Sequence, residues 1–168
     1  PADADPVELQ NLSKQAHDEA VHFRMVKECI ESITGETLDV EAAMAHEAAK
    51  PTAKGADLLS KYDAEHDEAA LAVYQMVAEG RAAAVWSQMA ESIEDTFISK
   101  SYAKIAKDEG FHSTIGEMKL EKIAISPAVQ ARVLDLVDGM RKDLFAVSCA
   151  NTMTAAGSKE LVSAAYGW

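Results

Sequence analysis

Apolar residues recur every three to four positions along most of this chain, and nowhere do they alternate with the two-residue period of a strand. The first such stripe is Leu9, Leu12, Ala16, Phe23, Val26, Ile30 and Ile33. Asp5 stands before it as a cap, Pro6 fits the first helical position, Glu8 follows three residues after the cap, and Gly35 closes the run. A less ordered stretch comes next, with a short Ala-rich helix near 40–49 that Pro51 and Gly55 interrupt. A second long helix is predicted from about 60 to 92, with an inward face of small residues and a few large ones: Ala69, Ala72, Met76, Ala83, Trp86 and Met89. Asp95 caps a third, from 96 to about 123, with Phe97, Tyr102, Ile105, Ile115 and Leu120 inward. Ser126-Pro127 opens a fourth toward 147, and a short helix follows Ser158. The expected fold is an all-α antiparallel bundle in a single domain over 1–168, with bundle helices over 6–123 and extra C-terminal helices over 127–168.

Composition agrees with helix: Ala, Glu, Lys, Leu and Met dominate, with only 8 Gly and 4 Pro in 168 residues, and 48% of residues are hydrophobic. That is enough chain to bury a sizeable core. The formal net charge of -12 argues against nucleic acid, which is held by Lys and Arg clusters. The basic residues Lys100, Lys104, Lys107, Lys119 and Lys122 are interleaved with acids and read as a solvated helix face. No run of about 18 apolar residues is present to cross a membrane. Cys29 and Cys149 lie in apolar helical patterns and read as reduced thiols, so the expected location is the cytoplasm.

Candidate chemistry sits in a motif that occurs twice, Asp18-Glu19-x-x-His22 and Asp108-Glu109-x-x-His112. Three-residue spacing puts each Glu and His on the same helix face, one turn apart. That face is the apolar one: Glu19 and His22 fall in register with Leu12, Ala16 and Val26, and Glu109 and His112 continue from Ile98, Tyr102 and Ile105. A carboxylate and an imidazole on a core stripe need a partner, because an unpaired buried charge costs several kcal/mol. Two such motifs facing each other would gather two imidazoles and two carboxylates at one point, as a metal site or as a buried ion-pair network. On the second long helix, Glu79 lies among Ala72, Met76, Ala82 and Ala83, whose small size suits close approach, and it is expected to be a bridging carboxylate. Carboxylate oxygens plus neutral imidazole suit two iron ions, or manganese, better than zinc.

In this order the residues resemble the ferritin-like di-iron carboxylate superfamily, whose helices A to D carry Glu, Glu-x-x-His, Glu and Glu-x-x-His. Glu19/His22, Glu79 and Glu109/His112 match B, C and D, and the stretch Lys104 to Ile115 is similar to helix D of the acyl-carrier-protein desaturases and allied oxygenases. The resemblance implies a long crossover between B and C. It further implies second-shell aspartates, Asp18 and Asp108, holding the metal-bound histidines, and aromatic neighbours, Tyr102 and Trp86, that relay electrons or pack beside the centre. Helix A would lie upstream of Pro1, so its carboxylate is expected from an upstream segment, from another chain or oligomer partner, or from Glu41 or Glu47 of the crossover. The implied function is an O2-activating di-iron oxygenase or oxidase (hydroxylation, desaturation or N-oxygenation) of a small organic or acyl substrate, served by an electron donor protein. The alternatives are a ferroxidase or peroxide scavenger of the ferritin or rubrerythrin kind, and a structural subunit of a larger oxygenase complex.

Overall fold

The structure is a computed structural model that describes residues 5–48, 55–63 and 67–156, and among them every regular element is helical. The elements are α1 (Pro6–Thr34), α2 (Val40–Ala48), α3 (Gly55–Asp63), α4 (Glu68–Tyr74), a π turn (Gln75–Glu79), α5 (Gly80–Ser92), α6 (Thr96–Ile123) and α7 (Pro127–Ala156). None of the described helices is long and apolar enough to cross a membrane. The short helix expected after Ser158 lies outside the described residues.

The helix ends follow local chemistry. Asp5 accepts from the amide of Val7, Pro6 opens α1, and Gly35 ends it at φ 71°, in the left-handed region that favours glycine. Asp95 accepts from the amides of Phe97 and Ile98 to start α6. The long helix expected over 60–92 differs: α3 ends at Asp63, and Asp67 restarts the chain by accepting from the amides of Ala69 and Ala70. From Glu68 the helix runs unbroken to Ser92, because both junctions of the π turn keep right-handed helical dihedrals.

Helix α6 is the hub, packing against α1, α4, the π turn and α5, while α7 packs on α3, α4 and the π turn. Tyr62, Ala70, Ala72, Val73, Leu120 and Met140 form an apolar cluster on the α7 side. Helix α1 runs antiparallel to α6, held at one end by Lys122 on Asp5 (2.6 Å) and Lys119 on Glu8 (3.0 Å). Gly116 lets α6 approach the π turn closely, since a Cβ there would lie 2.5 Å from the backbone nitrogen of Met76. Ser113 then donates to the Met76 carbonyl (2.8 Å).

Most of the stripe expected to bury α1 turns outward instead, with Val26 and Ile30 half-buried. Leu9, Leu12, Phe23 (56% exposed) and Ile33 (68%) are exposed, and the buried residues of α1 are Asp18, His22 and Cys29. The reason is that α1 has α6 as its main neighbour. One helix covers only one strip of another, so the polar motif faces α6 and the flanking apolar seam stays open. Phe97, expected inward on α6, is likewise exposed.

Candidate metal centre

Opposed, antiparallel α1 and α6 bring the two motifs face to face, and they interlock. Nε2 of His22 meets Asp108 at 3.1 Å, while Nε2 of His112 meets Asp18 at 3.1 Å. Each aspartate therefore holds the histidine of the other helix. Both aspartates are buried, and both are kept below the ordinary carboxylate range, against the opposing effect of burial, by a lysine and the histidine beside them. An ionised carboxylate only accepts, so each Nε2 carries the hydrogen, and Nδ1 is the nitrogen each ring turns toward the glutamates.

Both Nδ1 atoms point at the same two glutamates. Nδ1 of His22 lies 3.4 Å from Glu109 and 3.6 Å from Glu19; Nδ1 of His112 lies 3.2 Å from Glu109 and 3.3 Å from Glu19. Glu79, delivered by the π turn, joins them: donor atoms of Glu19, Glu79, Glu109 and His112 lie within 4.8 Å of one another. His112 is 0% and His22 5% exposed, whereas the Glu19 side chain is 50% exposed and faces outward along the groove. That groove is a cavity of about 530 Å³ lined by Leu12, Gln15, Ala16, Glu19, Tyr74, Gln75, Glu79 and Glu109. A glutamine pair spans it, with Gln75 donating to Gln15 (2.5 Å) and Gln15 donating to Glu79 (3.3 Å).

Three carboxylates this close cannot all stay ionised. Burial first, then Glu79 and Glu19, push Glu109 up to about 9, so at neutral pH it carries a proton. The Oε2 of Glu109 stands 3.2 Å from Nδ1 of His112, where that proton can be donated. Nδ1 of His22 is buried and, among the described residues, without a hydrogen-bond partner, its nearest carboxylates being Glu109 and Glu19. A buried nitrogen lone pair left bare is costly unless something electropositive sits against it.

Trp86 and Tyr102 are where the spacing put them, seven residues from Glu79 and Glu109, which is about 10 Å along a helix. They pack edge to face on each other, ring centroids 4.8 Å apart. The Tyr102 hydroxyl is pushed up by burial and by Cys29. Three other residues were not singled out from the sequence as part of this site. Tyr74 lines the groove, its phenol kept protonated by burial, Glu79 and Glu19. Lys14 and Lys104 bond Asp18 and Asp108, so Lys104 belongs to the outer layer of the cluster as well as to a solvated face. Their signal is in the sequence: both motifs extend to Lys-x-x-x-Asp-Glu-x-x-His.

No protein family, curated protein or solved structure matches this chain.

Proposed function

We propose that the chain holds a carboxylate-bridged dinuclear iron centre, with manganese as the alternative metal, in the manner of the ferritin-like di-iron carboxylate proteins. We further propose that it activates dioxygen to oxidise a small organic or acyl substrate. The observation that carries this reading is the buried Nδ1 of His22, without a hydrogen-bond partner among the described residues and facing Glu19 and Glu109. The donor set fits: Glu19, Glu79, Glu109 and His112 gather at one point, His22 adjoins them through Glu19 and Glu109, and aspartates fix both rings by their far nitrogens. Glu19 and Glu109 each face both imidazoles, and Glu79, the carboxylate expected to bridge, would complete the oxygen set beside them.

Ferrous iron held by these glutamates and histidines would supply the electrons for reduction of dioxygen. The chain's own groups do the rest. Asp18 and Asp108 hold the rings, Glu109 gives up its proton on loading, and the Tyr74 hydroxyl stands in the groove as a proton donor. In this reading the groove admits the substrate, a donor protein restores the ferrous state, and α2 and α3 are the crossover of a ferritin-like bundle. The open seam Leu9, Leu12, Ala16, Glu19, Phe23 recurs at the three- and four-residue steps of a helix–helix seam, and supports packing by a further helix from a second copy or another polypeptide.

The test is anaerobic loading with ferrous ion, followed by metal analysis and exposure to labelled dioxygen. Two ions per chain are expected, falling well below one in Glu109→Ala and His22→Ala at unchanged helicity. Label in an organic product identifies an oxygenase, and a mineralised ferric product identifies a ferroxidase. A wild-type protein that binds no metal above background overturns the reading.

A further inference from the structure

Each buried aspartate of the site has a second partner besides its histidine. Lys14 pairs with the same Asp18 oxygen that receives His112, and Lys104 pairs with the same Asp108 oxygen that receives His22. Two chains of contact therefore run in opposite senses: Lys14 to Asp18 to His112 leads from α1 into α6, and Lys104 to Asp108 to His22 leads from α6 into α1. Their relation is close to a two-fold exchange of the helices.

These pairs differ from an ordinary surface bridge. Lys27 and Glu31 share the four-residue spacing, but that glutamate is a quarter exposed, whereas the Asp18 and Asp108 side chains are 8% and 9% exposed. A buried carboxylate gripped at one oxygen by an ammonium loses the freedom to swing that oxygen away from the imidazole. Lys14 is itself steadied from the opposite helix, its ammonium lying 4.8 Å from the ring centre of Phe111, the residue before His112.

We propose that Lys14 and Lys104 are positioning residues, each acting through the aspartate of its own helix on the histidine of the other. The inference rests on the reading of the site as a metal centre for its purpose, but the contact itself exists without metal. The consequence is a crossed dependence: Lys14 fixes His112, and Lys104 fixes His22.

The experiment follows the ring Nε2 hydrogens of both histidines by NMR in metal-free full-length protein. In Lys14→Met the His112 hydrogen should exchange with solvent about tenfold faster while that of His22 is unchanged, and Lys104→Met should do the reverse. Lys14→Arg and Lys104→Arg should restore protection. Should a methionine variant lose helicity, Lys14→Gln or Lys104→Gln gives the same reading with a polar group at these half-exposed positions. Loss at the histidine of the same helix, equal loss at both, or no recovery with arginine overturns the proposal. Ferrous-ion affinity is the second readout, expected to fall about tenfold in each methionine variant. Crossed exchange in a protein that binds no metal would leave the relay standing and remove the metal reading instead.

Discussion

Two glycines in α6 make opposite predictions for the same substitution. At Gly116 an added Cβ would lie 2.5 Å from the Met76 nitrogen, 2.6 Å from the Ala72 carbonyl oxygen and 3.0 Å from the Met76 Cα. All three are backbone atoms, so no side chain can swing aside; the helices must part by about 1 Å to restore contact distances of about 3.5 Å. Overpacking of this kind costs about 1–3 kcal/mol, and the obstacle being backbone puts Gly116→Ala at the upper end even after about 1 kcal/mol gained in helix propensity. At Gly110, beside Glu109, nothing among the described residues lies within 4 Å of the new methyl. Gly110→Ala should therefore gain about 0.5–1 kcal/mol. Denaturant unfolding followed by far-ultraviolet circular dichroism measures both. Gly116→Ala should also lose metal, since the π turn that must retreat carries Glu79. A Gly116→Ala protein as stable as wild type, or a Gly110→Ala protein less stable than it, would refute the close-approach argument.

Other outcomes follow from the same geometry. Glu109→Gln should stabilise the metal-free protein by on the order of 1–3 kcal/mol at neutral pH while abolishing metal binding. Its sign follows from the raised value of about 9: the wild-type group contributes fully below its unfolded value near 4.5, and that contribution is lost as pH rises toward 9. Unfolding curves of metal-free wild type should weaken over that window, with the Glu109→Gln slope flatter; parallel slopes would count against the crowding of carboxylates. Asp95→Ala removes the acceptor for the Phe97 and Ile98 amides and should cost about 1 kcal/mol in the same assay. Saturation with ferrous ion at about a hundred times its dissociation constant should add about 2.7 kcal/mol, and an unchanged midpoint would count against binding to the folded state.

Much of the helical frame was legible because helix ends obey local chemistry. Asp5, Pro6 and Gly35 delimit α1, and Asp95 opens α6, with no help from tertiary structure. The paired motifs were legible for the same reason, three-residue spacing being a property of one helix. What failed was information carried between helices. The apolar seam of α1 was taken for core because periodicity reports that a face is apolar and says nothing of whether a neighbour covers it. The crossing of Asp18 to His112 and Asp108 to His22 depends on the stagger of two helices, which no single segment encodes. Two glycines of one helix differ in a way their sequence does not mark: Gly116 is pressed against backbone, while Gly110 meets open space. Asp67 lies inside a hydrophobic period that continues through it, so the restart of the helix there is not marked by the pattern.

The π turn makes one helix serve two registers. Each residue of an α-helix turns about 100°, so the additional residue a π turn accommodates rotates everything after it relative to everything before. Helix α4, which packs on both α6 and α7, can thus keep Ala70, Ala72 and Val73 in the apolar cluster, while Glu79 and α5 follow in a separate phase. Deleting a single residue from 75–78 would leave a smoother helix with every apolar residue of α4 in place. Its carboxylate would point elsewhere, and the site would disappear by a change of phase alone, with no ligand mutated.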